Sequence, residues 1–114
     1  MITLYHNPRC SKSRQALALL EEQGQQPDIK LYLESPPTAA ELKSLLAKLG
    51  LSARELLRKG EDAYKELNLR DEQLTEAALI KAMVNNPKLI ERPIAIKGDR
   101  AVVGRPPENV LALL

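Results

Sequence analysis

From Thr38 to Asn85 the sequence is patterned for helices, and everything that reads as a strand lies before or after that block. A chain organised this way must build its sheet from its two ends and carry the helices as an insertion. Thr38 and Glu41 form a capping box, with Leu42, Leu45, Leu46 and Leu49 at helical spacing behind it and Gly50 as the stop. Ser52 and Glu55 repeat the device for a shorter helix that carries Arg54 and Arg58. A further helix is expected from Thr75 to Asn85, ending before Pro87.

The ends supply the strands. Ile2 to Tyr5 reads as a short buried strand, followed by the loop His6-Asn7-Pro8-Arg9-Cys10 and a helix from about Ser11 to Gln23. Ala16, Leu17 and Leu20 give that helix its apolar stripe, and Gly24 and Pro27 stop it. Ile29, Leu31 and Leu33 alternate with other residues, which predicts a second strand ending at Pro36-Pro37. Ile94 to Lys97 and Arg100 to Val103 flank Gly98-Asp99 as a β-hairpin, and Pro106-Pro107 opens a final short helix through Leu114. The expected fold is α/β, a small mixed sheet flanked by helices, as one domain over 1–114 with a helical insertion at about 38–88 after the second strand.

Composition narrows the function classes. Three Tyr with no Phe or Trp leave few platforms for stacking bases, and a net charge of +2 is too small to imply a nucleic-acid or membrane partner. No run approaches the ~18 apolar residues of a membrane span. One cysteine and one histidine fall short of a tetrahedral metal site, and no bound cofactor is expected. A single cysteine cannot close an internal disulfide, so a reducing cytoplasm is the natural compartment. A monomer is expected.

That cysteine, Cys10, falls between a strand and a helix, where free backbone N–H groups and the helix dipole favour an anion. No Asp or Glu occurs before Glu21, whereas Arg9, Lys12 and Arg14 all do. Such surroundings can lower a cysteine pKa from ~8.5 into the range ~3.5–7.5. The alternative is a buried structural cysteine, but its neighbours here are Asn, Pro, Arg, Ser and Lys rather than apolar residues. His6 can be read as a general base, as a hydrogen-bond partner for the loop, or as a purely structural holder.

The string from His6 to Arg14, HNPRCSKSR, resembles the active-site loop of the ArsC family, the glutaredoxin-dependent arsenate reductases. Tyr32 to Thr38, Leu56-Leu57-Arg58-Lys59, Arg92-Pro93-Ile94 and Gly104-Arg105-Pro106 extend the resemblance in order over nearly the whole chain. It implies a thioredoxin-like fold, with Cys10 as the nucleophile and His6 and Ser13 tuning or holding its thiolate. Asn7 would keep the loop in shape, and Arg58, Arg92 and Arg105 would bind the oxyanion or its thiol adducts. It also implies glutathione as co-substrate and glutaredoxin as partner, which suits a chain with no second cysteine to resolve an adduct. Each arginine could otherwise be an ordinary surface charge.

Arg92-Pro93 is a candidate cis peptide, although only ~5–6% of X–Pro bonds in folded proteins are cis. Arg9 and Lys12 place charge where better-known members carry small or uncharged residues, and the sequence lacks their longer C-terminal tail. Two rival readings share the fold: an Spx-like regulator that binds RNA polymerase, and a monothiol glutaredoxin-like disulfide reductase. The first typically carries a CxxC pair, where this chain has Ser13. The second would leave the arginine motifs without a task.

Overall fold

The computed structural model describes all 114 residues and divides into two compact units, Met1–Ser35 with Arg92–Leu114, and Pro36–Glu91.

The first unit holds the sheet. Its elements are β1 (Ile2–Tyr5), α1 (Ser11–Glu22), β2 (Asp28–Lys30), β3 (Ile94–Lys97), β4 (Arg100–Val103) and a 3₁₀ helix at Pro107–Leu113. The strand order is β2-β1-β3-β4. β1 runs parallel to β2, with Thr3 opposite Asp28, and antiparallel to β3, with Tyr5 opposite Ile94. β3 and β4 form the expected hairpin, pairing Ile94 with Val103 and Lys97 with Arg100. Together with the helices this is a thioredoxin-like mixed sheet.

Alternation along β1 sends Ile2 and Leu4 to one face, where they join Ala95, Ala16 and Leu20 of α1, and Val110 and Leu113 of the 3₁₀ helix in one buried cluster. Full burial of each aliphatic side chain of this kind contributes about 1.5–3 kcal/mol. Tyr5 points to the other face and stacks on Tyr32, with ring centroids 6.0 Å apart.

One expectation is corrected here. The second strand covers only Asp28–Lys30, because the chain turns at Leu31, whose carbonyl accepts the N–H groups of Glu34 and Ser35. β2 is an edge strand, so Ile29 and Leu31 remain exposed while Tyr32 is fully buried. The expected final short helix forms as a 3₁₀ helix over Pro107–Leu113, entered through Pro106.

The second unit is helical: α2 (Ala39–Leu49), α3 (Ala53–Leu56), α4 (Asp62–Glu66), α5 (Glu76–Asn85) and a 3₁₀ turn at Pro87–Leu89. Both capping boxes form. Thr38 Oγ1 accepts the Glu41 N–H at 3.1 Å while Glu41 accepts the Thr38 N–H at 3.0 Å, and Ser52 and Glu55 do the same. Gly50 closes α2 at φ 69°, a left-handed conformation in which a side chain would be strained. Leu42, Leu45 and Leu46 of α2 and Leu79, Ile80 and Met83 of α5 are buried, as α2 packs on α5.

Arg58 does not ride on a helix, contrary to expectation. α3 ends at Leu56, and Leu57 is extended and bridges to Ile90, so Arg58 N–H donates to the Leu89 carbonyl at 2.8 Å. α4, which no sequence signal marked, has no buried residue. No helix in the chain is long and apolar enough to cross a membrane.

Candidate active site

The loop between β1 and α1 is organised around one hydroxyl. The His6 N–H donates to the Lys30 carbonyl at 2.9 Å, which carries the sheet ladder one residue past β1. The chain then turns, with Asn7 Oδ1 accepting the Arg9 N–H at 3.1 Å and the Asn7 carbonyl accepting the Cys10 N–H at 2.9 Å. Ser13, fully buried on the first turn of α1, reaches back into this turn. Its Oγ lies 2.6 Å from His6 Nδ1 and accepts the Asn7 N–H at 3.0 Å. One side chain thereby satisfies two buried polar groups of the loop. Arg14 adds an outer brace, donating from Nη1 to the Pro8 carbonyl at 2.8 Å.

Cys10 is the N-cap of α1 and half-buried, with an extended backbone and no oxygen in the capping position. Burial pushes its thiol pKa up, but four effects outweigh that push and leave it below the ordinary value. The largest is a hydrogen bond from the Ser13 N–H, followed by one from the Arg92 side chain, one from the Lys12 N–H and the Arg92 charge itself. The positive charge that favours the thiolate therefore comes from Arg92. The side-chain charges of Arg9, Lys12 and Arg14, expected to supply it, are not among the causes, and Lys12 contributes only through its backbone N–H.

Arg92 and Arg105 meet because the hairpin pairs Ile94 with Val103, which leaves both arginines just beyond the same end of the two strands. Arg105 Nε donates to the Arg92 carbonyl at 2.7 Å, and its Nη2 lies 3.8 Å from Cys10 Sγ. Both arginines precede cis prolines, at Arg92-Pro93 as considered from the sequence and also at Arg105-Pro106. Two guanidinium groups beside a thiolate at a helix N-terminus make a site for a tetrahedral oxyanion, which such groups bind through charge-assisted hydrogen bonds.

His6 is buried, and that burial followed by the Arg14 charge lowers its pKa, so the ring is neutral at neutral pH. Its hydrogen bond runs to Ser13. Arg58 belongs to the second unit, where Nη1 lies 2.6 Å from Glu91 Oε1 and Nε lies 3.4 Å from Glu61 Oε1. No three His, Cys, Asp or Glu side chains gather as a metal site. Sequence reasoning cast Arg14 only as a nearby cation, missing its brace on the Pro8 carbonyl, and gave no task to Gly104. A residue that braces a loop through a carbonyl leaves no side-chain pattern, whereas the glycine in Gly104-Arg105-Pro106 was a visible signal.

A thiol at a helix start, flanked by two arginines on a thioredoxin-like sheet, defines this as a thioredoxin-fold protein with a cysteine–arginine centre. The profile of the ArsC family matches residues 5–113, and the chain belongs to that family. It is 59% identical over 114 residues to the protein of Escherichia coli K12 called uncharacterized protein YfgD, covering 99% of this chain and 96% of that one. It is 50% identical to the arsenate reductase of Haemophilus influenzae, covering 99% and 98%. The solved structure of the arsenate reductase from Vibrio cholerae superposes with a TM-score of 0.97 at 54% identity, covering 99% of this chain and 97% of that one.

Proposed function

We propose that this protein is an arsenate reductase that uses Cys10 as nucleophile, with glutathione and glutaredoxin as electron donors. The observation that carries the reading is the Cys10 thiol, lowered in pKa with Arg92 as its cation and with Arg105 Nη2 3.8 Å from its sulfur. Full-length similarity to proteins named arsenate reductase supports the substrate. The thiolate attacks arsenic(V), forming an S–As bond, and one arsenate oxygen leaves as water after taking up protons. Glutathione then attacks the Cys10 sulfur. The S–As electron pair stays on arsenic, which departs as arsenite, and Cys10 is left in a mixed disulfide with glutathione. A glutaredoxin thiol removes the glutathione and restores Cys10.

Arg92 and Arg105 hold the oxyanion, and Arg58 is assigned the same task from the family resemblance. His6, Asn7 and Ser13 hold the loop. No resident cofactor is needed, and a reducing cytoplasm with the protein as a monomer suits the scheme. A regulatory thiol pair is not favoured, because the position three residues after Cys10 is Ser13 and the sequence holds one cysteine.

The test supplies arsenate, glutathione, glutaredoxin and glutathione reductase and follows NADPH consumption. Arsenate-dependent turnover that disappears in Cys10→Ser is the expected result. No turnover by the wild-type protein at millimolar arsenate would refute the proposal.

A further inference from the structure

We infer that Gly104 is a positioning residue whose bare backbone sets Arg92 and Arg105 in place against the Cys10 sulfur. Gly104 N–H donates to the Pro93 carbonyl at 2.8 Å, directly behind the Arg92-Pro93 bond. A Cβ built on Gly104 would lie 2.8 Å from Pro93 Cγ and 3.1 Å from Val110 Cγ1. Its φ lies outside the left-handed region, so the demand at this position is for space and not for an unusual backbone conformation.

The space cannot be made by swinging a side chain. Pro93 Cγ belongs to a ring closed on its own backbone nitrogen, and Val110 is fully buried in the cluster under the sheet. An added methyl therefore pushes on the Arg92-Pro93 backbone. Displacement there moves Arg92, the cation hydrogen-bonded to Cys10. It also moves the Arg92 carbonyl, which is held by Arg105 Nε at 2.7 Å, and Arg105 is bonded directly to Gly104 in the chain. One close approach thus governs both guanidinium groups. The inference rests on the reading of Arg92 and Arg105 as partners of the Cys10 anion, but its main test uses no arsenate.

The experiment measures the pH dependence of Cys10 alkylation by iodoacetamide in wild type, Gly104→Ala and Leu113→Ala. Leu113 lies in the same buried cluster as Val110 and serves as a control for destabilisation alone. Gly104→Ala is expected to shift the alkylation midpoint to higher pH and to lower kcat/KM for arsenate by about 10- to 100-fold. Leu113→Ala is expected to melt earlier with an unshifted midpoint. A folded Gly104→Ala protein with the wild-type profile overturns the inference. Should Gly104→Ala not fold, Gly104→Ala/Val110→Ala removes the 3.1 Å contact and keeps the 2.8 Å one, and an unshifted midpoint there overturns it equally. A shifted midpoint in a protein whose wild type does not reduce arsenate supports Gly104 as a positioning residue while refuting the substrate.

Discussion

Replacing Ser13 by alanine removes one oxygen from the protein and two hydrogen bonds from the active-site loop. The hydroxyl is fully buried, 2.6 Å from His6 Nδ1 and 3.0 Å from the Asn7 nitrogen, and both partners are themselves largely buried. Leaving a buried donor or acceptor without a partner costs about 1–3 kcal/mol. Two such groups, partly relieved by relaxation of the loop, put the loss at about 2–4 kcal/mol against a total stability of ~5–15 kcal/mol. The corresponding fall in Tm is about 10 °C or more for a chain of this size. Urea unfolding followed by circular dichroism measures it, with the midpoint falling and the slope unchanged. Ser11→Ala, on the exposed side of the same helix turn, is the control and should stay within about 0.5 kcal/mol of wild type. A Ser13→Ala loss below about 1 kcal/mol, near the Ser11→Ala value, would refute the view that Ser13 holds the loop through buried polar groups.

Other perturbations test separate parts of the molecule. Arg105→Lys keeps the charge but loses the guanidinium fork and the bond from Nε to the Arg92 carbonyl, so kcat/KM for arsenate in the coupled assay should fall by about 10- to 100-fold. The depressed His6 pKa means that the unfolded chain takes up a proton before the folded one does. Its contribution to stability should be complete above the ordinary value of ~6.5 and be lost as pH falls below it toward the depressed folded value. Urea midpoints between pH 5 and 8 should show that slope, and His6→Gln should flatten it. In the helical unit, both carboxylate oxygens of Glu76 accept the Ala53 N–H, at 2.9 and 3.0 Å. Glu76→Ala should therefore cost about 1.5–3 kcal/mol in urea unfolding.

What could be read from the sequence was whatever depends on near neighbours in the chain. Thr38 with Glu41 and Ser52 with Glu55 bond three residues apart, so their caps were visible as spacing. The hairpin from Ile94 to Val103 was equally local. The second strand was misjudged because alternation shows which residues could share a face, not whether a neighbouring strand covers them. Ile29 has β1 on only one side, and the chain turns away at Leu31. Arg58 looked like part of a helix until the Leu57–Ile90 bridge, formed across distant sequence, ended that helix early. At the site, the motifs named Cys10, Arg92 and Arg105, but local charge counting credited the wrong cations. Arg9, Lys12 and Arg14 are close in sequence, yet the guanidinium groups beside the sulfur are those of Arg92 and Arg105.

The unoccupied cap position of α1 has a consequence for how the molecule behaves while it works. Most helices close their first turn with a hydroxyl or carboxylate that takes no part in chemistry. Here Cys10 stands at that position without a side-chain cap hydrogen bond, and the N–H groups of Lys12 and Ser13 favour the charged form of its sulfur. Converting the sulfur to a thioether or a disulfide removes the negative charge that those N–H groups favour, so the first turn loses that electrostatic support whenever Cys10 is derivatised. The helix end and the charge on the sulfur are then coupled. Amide hydrogen exchange at Lys12 and Ser13 should speed up on alkylation of Cys10, reporting the chemical state of the sulfur from the backbone.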